Sequence, residues 1–188
     1  MAVVLERRLW TADEFHRLGE LGILGEDDRV ELIHGEIVTM SPIGDRHSGA
    51  VKRSNELLRD HLGKTINIGV QDPIRLDNAS EPLPDISILK RRADFYSKKT
   101  PRPKDIFLLI EVADSSIDYD EKFKSNLYAE SNIAEVWVVN LLMGIVIQFT
   151  EPFAGKYKRV RRAHKGDSIT SHSLPNLTLR VDEIVGEN

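Results

Sequence analysis

Two acidic residues stand where predicted neighbouring strands begin and end. Asp85 follows Pro84 at the start of one predicted strand, and Glu111 closes an apolar run at 106–110. A carboxylate at the end of such a run is costly to bury unless it is paired, protonated or bound to a metal. If the two strands are antiparallel neighbours joined through residues 90–104, Asp85 and Glu111 lie together at one edge of the sheet. A divalent cation or a shared proton would relieve the repulsion between them.

A cationic side chain follows within reach of this pair. Asp120, Lys124 and Tyr128 recur every four residues, so they share one face of the helix predicted after Glu111. A Lys124 side chain directed back over the carboxylates would complete the equipment for metal-assisted hydrolysis of a phosphodiester. The alternative is a structural Asp120–Lys124 ion pair, worth roughly 0.2–0.5 kcal/mol on a helix.

The hydrophobic pattern predicts the elements that must position these residues. The middle of the chain alternates as helix, three strands, helix and strand, which indicates an α/β core with hairpins that extend the sheet at either end. No linker divides the chain, so we expect a single domain over 1–188 with its core at about 45–140. The predicted helices cover 11–18, 45–63, 119–131 and a short segment near 182. The predicted strands cover 30–40 (a hairpin around His34-Gly35), 66–76, 85–89, 106–112, 136–139, 145–149, 157–160 and 168–170.

The composition excludes several classes of protein. Of 188 residues, 40% are hydrophobic and 30% charged, which is typical of a globular protein. The absence of cysteine excludes disulfides, thiolate metal sites and a cysteine nucleophile. No apolar run is long enough for a transmembrane helix, and charges interrupt the N-terminal stretch that a signal peptide would need. We therefore expect a soluble, cytoplasmic protein with no membrane partner.

The charge is distributed unevenly along the chain. The net charge is −4, yet residues 90–104 carry seven basic residues and one acid, and residues 156–165 carry six basic residues and no acid. Such segments can attract phosphates in a protein that is acidic overall. The alternative is that they are solvated loops and an edge strand guarded by lysine and arginine. The candidate nucleic-acid-binding residues in the first segment are Arg91, Arg92, Lys98 and Lys99.

The histidines and the paired serines do not form a recognisable catalytic motif. The six histidines form no HExxH motif, so a histidine-based zinc site is not expected. His47 stands near the start of the long predicted helix, where a helix N-terminus favours phosphate, and it is a further candidate for contact with nucleic acid. Ser115-Ser116 lacks the GxSxG context of a nucleophile and is interpreted as a helix cap or a lining of the site.

Five stretches of the chain carry a family resemblance. The most specific is 119–140, in which Tyr-Asp, Lys, Tyr-Ala and Glu-Val-Trp-Val-Val-Asn follow at characteristic spacing. The others are 31–37 (ELIHGEI), 40–42 (MSP), 84–85 (PD) and 111–112 (EV). Through these stretches, from about residue 11 to residue 149, the sequence resembles the Uma-two family of restriction endonucleases, within the PD-(D/E)XK nuclease superfamily. The resemblance implies a restriction-endonuclease-like core, with a central mixed sheet flanked by helices.

The resemblance also implies roles for individual residues. Asp85 and Glu111 would be the metal ligands for Mg²⁺, for which Mn²⁺ can substitute, and Lys124 would be the catalytic lysine. The simplest superfamily pattern has its lysine two residues after the acid, where this chain has Ala113. The sequence is similar to the Uma-two family in moving the lysine to the following helix, where Lys122 is a rival. Glu31 matches an early acidic position that could support the metal; its alternative is an exposed strand residue.

These residues and the resemblance predict a Mg²⁺-dependent endonuclease that hydrolyses DNA through two carboxylates and a lysine. The main alternative is a catalytically inactive nucleic-acid-binding protein of the same fold. The acidic pair argues against that alternative, since a binding protein does not need carboxylates beside phosphates. A two-carboxylate glycosidase is weakly supported, because no aromatic platform is clustered near the pair. Cleavage of both strands of a duplex favours a homodimer.

Overall fold

The computed structural model describes residues 7–25, 27–114 and 119–186, with residues 119 and 120 described for the backbone alone. Its helices are α1 (Ala12–Glu20), α2 (Asp45–Leu62), α3 (Ser125–Glu130) and α4 (Val181–Val185). Its strands are β1 (Val30–Ile33), β2 (Glu36–Thr39), β3 (Ile66–Val70), β4 (Ile86–Lys90), β5 (Ile106–Ala113), β6 (Glu135–Asn140), β7 (Ile145–Phe153), β8 (Lys156–His164), β9 (Ser168–Thr170) and β10 (Thr178–Arg180). Among the described residues, no helix is both long and apolar enough to span a lipid bilayer.

A six-stranded mixed sheet forms the centre of the fold, with the strand order β3-β4-β5-β6-β7-β8. Neighbouring strands pair antiparallel except β5 and β6, which run parallel. Parallel neighbours require a crossover connection, and the chain between these two strands includes α3. The prediction of an α/β fold with a central mixed sheet flanked by helices is therefore confirmed.

The central strand β5 is buried on both faces, as its apolar sequence predicts. On one face, Ile110 belongs to a core with Leu58 of α2 and Ile184 of α4. On the other face, Leu109 belongs to a core with Leu127 of α3. Residues of β5 alternate between the two cores, so Glu111 lies on the same face as Leu109 and faces α3.

The N-terminal hairpin is a two-stranded sheet of its own. β1 and β2 pair antiparallel around His34-Gly35, as predicted. The two turn residues have φ values of 49° and 79°, the left-handed conformation of a two-residue hairpin turn. The prediction that this hairpin extends the central sheet is wrong, since β1 instead bridges through Leu32 to Glu81 in the loop before β4.

Other features of the structure also differ from the sequence prediction. The strand predicted over 66–76 ends at Val70, because Gln71 takes a φ of 54° and turns the chain out of the sheet. The helix predicted over 119–131 begins as a π-helical turn, Tyr119–Lys124, before α3. At the C-terminal end β7 and β8 extend the central sheet as expected, whereas β9 pairs with the unpredicted β10.

A buried glutamate fastens the C-terminal segment to the sheet. Glu135, at the start of β6, is fully buried. Its carboxylate accepts hydrogen bonds from the Trp137 indole at 2.7 Å, the Gln148 amide at 2.7 Å and the Ser171 hydroxyl at 2.7 Å. The backbone N–H groups of residues 172 and 173 donate to it at 3.1 and 2.8 Å. A buried carboxylate with this many donors is satisfied without a cation.

We expect Glu135→Ala to lower the free energy of unfolding by about 2–4 kcal/mol, because it leaves several buried donors without an acceptor. Glu56→Ala is the control, since Glu56 is an exposed residue in the middle of α2 and the change should stay within about 0.5 kcal/mol. Urea denaturation followed by circular dichroism measures both variants. Equal stability of the two would show that the Glu135 hydrogen bonds do not hold the segment in place.

Candidate active site

The two predicted carboxylates meet at one end of the central sheet. Asp85 immediately precedes β4, and Glu111 lies near the end of β5. The strands pair antiparallel with Ile86 opposite Ile110, so the register itself sets the carboxylates side by side. The backbone N–H of Asp85 donates to Glu111 Oε2 at 3.4 Å. The predicted antiparallel pairing and the juxtaposition of the two residues are both present.

Asp85 is held by three donors. Its Oδ2 accepts from the backbone N–H of Val112 at 2.8 Å and contacts His47 Nε2 at 3.0 Å, and its Oδ1 accepts from the Gln71 amide at 3.1 Å. Burial raises the pKa of Asp85, but the His47 contact and the hydrogen bonds from Val112 and Gln71 together lower it below its ordinary value. Asp85 is therefore a carboxylate at neutral pH, the form that binds a cation.

Glu111 shares an ammonium group with Glu31. Lys124 Nζ lies 3.1 Å from Glu31 Oε1 and 3.4 Å from Glu111 Oε1, and all three side chains are buried. Tyr128, one helical turn after Lys124, donates its hydroxyl to Glu111 Oε1 at 2.5 Å. Glu31 also accepts from the backbone N–H of Leu83 at 2.8 Å. The alternative in which Glu31 is an exposed strand residue is therefore wrong.

The helical segment after β5 places the two candidate lysines in different surroundings. The chain enters α3 through the π-helical turn, and Lys124, at the end of that turn, lines the cavity beside the carboxylates. Lys122 is exposed to solvent. The structure thus brings Lys124 to the carboxylates. The side chain of Asp120 and the pair Ser115-Ser116 lie outside the described residues.

These side chains line a cavity of about 520 Å³. Another part of the lining comes from residues 38–44, which are the end of β2 and the connection from β2 to α2. The lining contains more acidic than basic groups, so with His47 neutral it carries an excess of two negative charges. Among the described residues, no three His, Asp or Glu side chains converge closely enough to hold a metal ion by themselves. The charged lining residues are Arg29, Glu31, Asp85, Glu111, Asp114 and Lys124.

Four residues of the site have no signal in the sequence that identifies them. Gln71 stands next to Asp85 because Val70 pairs with Ile86, and a strand predicted to continue to residue 76 conceals this register. Asp114 and Arg29 line the cavity from just beyond β5 and just before β1. Arg46, in the first turn of α2, lies 3.5 Å from Asp114. No motif marks these last three residues, because each reaches the site through the packing of separate elements.

The basic segment 90–104 lies at the opposite end of the sheet from the carboxylates. Asp85 precedes β4 and Arg91 follows it, so six residues at about 3.4 Å each separate the two by roughly 20 Å. The structure therefore does not bring the four candidate nucleic-acid-binding residues of this segment to the cavity. Those residues are Arg91, Arg92, Lys98 and Lys99. By contrast, His47 is part of the cavity wall.

The four basic residues also differ in their own surroundings. Arg92 forms a bidentate ion pair with Asp94, with N–O distances of 2.9 and 2.7 Å, and lies over the ring of Tyr96. Its charge is thereby offset within the segment. Arg91 lies over the Phe95 ring, and Lys98 and Lys99 are exposed.

The family comparison assigns the chain. A family model described as "Uma2: Putative restriction endonuclease" matches residues 12–182. The chain belongs to this family. The match spans all six strands of the central sheet and every residue of the cavity described above. The resemblance found in the sequence to the Uma-two (Uma2) family is confirmed.

The structural comparison agrees with this assignment. The fold is similar to the crystal structure of a putative nuclease from Anabaena variabilis, with a TM-score of 0.72 and 14% sequence identity. The alignment covers 93% of this chain and 97% of that chain. At this identity the likeness establishes the fold. No curated protein matches the sequence.

The Arg92–Asp94 ion pair predicts an unusual titration. The hydrogen bonds from the Arg92 guanidinium hold the pKa of Asp94 at about 2, so the carboxylate persists until the pH falls through that value. In Arg92→Gln we expect the pKa of Asp94 to rise toward its ordinary 3.8, and in Arg91→Gln to stay unchanged. Carbon-detected NMR titration of the carboxyl group measures both. An ordinary pKa in the unmodified protein would mean that Arg92 is not engaged by Asp94.

Proposed function

We propose that the protein is a Mg²⁺-dependent endonuclease that hydrolyses phosphodiester bonds of DNA at the cavity formed by Asp85, Glu111, Lys124 and Glu31. Membership of the Uma2 family and the nuclease-like fold support nuclease activity. The observation that carries the proposal is that Asp85 and Glu111, opposite each other in the strand register, line one cavity with the Lys124 ammonium group 3.4 Å from Glu111. Phosphodiester hydrolysis needs this combination of anionic ligands and a fixed cation.

The residues of the cavity fit a magnesium ion. Mg²⁺ takes oxygen ligands and typically uses only one or two carboxylates, while waters and substrate phosphates complete its coordination. Asp85 and Glu111 would hold it, and the excess negative charge of the lining favours a divalent cation. Zinc sites draw on cysteine and histidine, and the lining offers one histidine and no cysteine. When bound, the ion would supply polarisation of a phosphoryl oxygen and a water of lowered pKa.

The remaining residues position the site and compensate its charge. His47 and Gln71 fix the Asp85 carboxylate, and Tyr128 fixes that of Glu111. Lys124 offsets the charge of Glu31 and Glu111 in the free protein. In the reaction its ammonium would stabilise the negative charge that develops on phosphorus-bound oxygen as water attacks and the P–O ester bond breaks.

The cleavage prediction concerns the three central residues. We expect Asp85→Asn, Glu111→Gln and Lys124→Met each to reduce plasmid nicking in Mg²⁺ or Mn²⁺ by about 100-fold or more, because each removes charge that the reaction requires. The carboxylate variants should bind DNA without metal at least as tightly as the unmodified protein, since they remove negative charge that faces phosphates. Asp60→Asn, an exposed carboxylate late in α2, is the control and should nick normally.

Two checks make the cleavage result decisive. Lys124→Met leaves Glu31 buried without its ammonium, which costs up to about 3–5 kcal/mol, so circular dichroism must confirm that the variant is folded. Glu31→Gln with Lys124→Met should recover part of the stability and none of the activity. Nicking that survives both carboxylate changes would overturn the assignment of the site. DNA binding without cleavage in any divalent cation, on a varied set of sequences, would favour the catalytically inactive binding protein.

We also propose that the enzyme acts as a homodimer, in the cytoplasm, where two sites related by a twofold axis would cut both strands of a duplex. Within the described chain, the central sheet ends in the outer strands β3 and β8, whose backbone groups are available to a second copy or must be protected. We expect light scattering at micromolar concentration to give twice the chain mass of 21.3 kDa. A single-chain mass would contradict the dimer and leave the cleavage proposal intact.

A further inference from the structure

A second cavity lies at the far end of α2 from the active site. It has a volume of about 400 Å³ and lies between the C-terminal turn of α2, the start of β3 and the residues after β4. Its lining includes three basic side chains, one aromatic ring and one amide, and no acid. We call this cavity the basic groove. The polar and aromatic residues that line the basic groove are Arg59, Lys64, Arg91, Phe95 and Asn67.

The three cations of the basic groove keep their charge available. Arg59 donates its Nε to the neutral Asn55 side chain at 3.1 Å, one helical turn away. The Arg91 guanidinium lies 4.4 Å from the centre of the Phe95 ring, a contact that positions the cation without neutralising it. In the part of the chain that the structure describes, Arg59, Lys64 and Arg91 form no ion pair with a carboxylate, in contrast to Arg92 and Asp94.

Three uncompensated cations around one concave surface repel each other and attract anions. In a protein whose net charge is −4, this local concentration of positive charge marks a surface that attracts anions. A chain of phosphates suits the groove, because lysine and arginine bind phosphate oxygens as point charges and as planar forks. The exposed ring of Phe95, with 65% of its surface accessible, adds an apolar contact at the rim.

The groove and the active site are far enough apart for one DNA duplex to contact both. α2 joins the two, with His47 in its first turn and Arg59 in its last, twelve residues or about 18 Å apart along the helix axis. The length of β4 gives about 20 Å between Asp85 and Arg91. A duplex whose axis runs along this line advances about 3.4 Å per base pair, so the separation corresponds to roughly six base pairs.

We propose that the basic groove binds backbone phosphates of the DNA substrate about six base pairs to one side of the bond positioned at Asp85 and Glu111. This inference rests on the proposed function for the identity of the ligand. Arg59, Lys64 and Arg91 would contact the phosphates of the duplex, whereas Arg92 stabilises its own segment through Asp94.

The test is salt-dependent binding of a fluorescent 20-base-pair duplex in EDTA, so that no cleavage occurs. We expect the triple variant Arg59→Gln, Lys64→Gln, Arg91→Gln to flatten the plot of log affinity against log salt by about 0.9 for each phosphate that is no longer neutralised. The matched control is Arg7→Gln, Arg17→Gln, Arg180→Gln, which removes the same charge from three exposed arginines already paired with carboxylates. The control should keep the slope of the unmodified protein.

Site-directed crosslinking gives a readout that does not depend on weakened binding. Because the chain has no cysteine, Lys64→Cys provides a single position for a photo-crosslinker, and Arg17→Cys provides the comparison. We expect DNA adducts from position 64 and none from position 17. An unchanged salt slope in the triple variant, or equal adducts from both positions, would overturn the groove. So would loss of binding to anionic phosphatidylserine vesicles in a triple variant that still binds DNA normally.

The two proposals fail in different ways. Groove-dependent DNA binding without nicking in any divalent cation would overturn the proposed endonuclease and leave the groove standing. Nicking that depends on Asp85 and Glu111, together with an unchanged salt slope in the triple variant, would do the reverse.

Discussion

The buried ammonium group of Lys124 is the interaction on which the arrangement of the site depends. Its contacts at 3.1 Å to Glu31 and 3.4 Å to Glu111 join three parts of the chain: the N-terminal hairpin, the central sheet and the helical segment before α3. Each of these charges would be costly to bury alone, since removing one partner of a buried pair leaves the other without compensation. Since the hairpin makes no strand pairing with the central sheet, the ion cluster is the contact that joins it directly to Glu111 of β5 and to the segment before α3.

Two buried glutamates on neighbouring strands show how a structural carboxylate differs from one in a candidate site. Glu135 receives its hydrogen bonds from neutral groups of the chain and lies away from both cavities. Glu111 faces a cavity and shares its environment with a second carboxylate and a cation. Burial is the same for both residues, and the difference lies in the surplus of negative charge around Glu111. That surplus is the property that a divalent cation can use.

Much of the site could be predicted because it follows from local pattern. The apolar run of β5 and the antiparallel return of β4 fix Asp85 beside Glu111, and the four-residue spacing to Tyr128 directs Lys124 at the same point. The partner of Glu31 could not be predicted, because β1 reaches Lys124 only through tertiary packing. The role of Gln71 could not be predicted either, because its own left-handed φ ends β3 earlier than the sequence pattern indicates. The charge of the basic segment predicts contact with nucleic acid, but it does not show where the segment lies in the fold. Only the length of β4 places it at the far end of the sheet from the carboxylates.

The single parallel pairing in the sheet has a consequence for how the protein folds. Antiparallel neighbours such as β3 and β4, or β6 and β7, can form by short-range collapse, whereas β5 and β6 pair only after the chain between them has crossed one face of the sheet. That same crossing segment carries Lys124. The long-range step that completes the sheet is therefore also the step that brings Lys124 to the acidic pair. A chain in which only the local hairpins have formed holds Asp85 and Glu111 without the buried ammonium group.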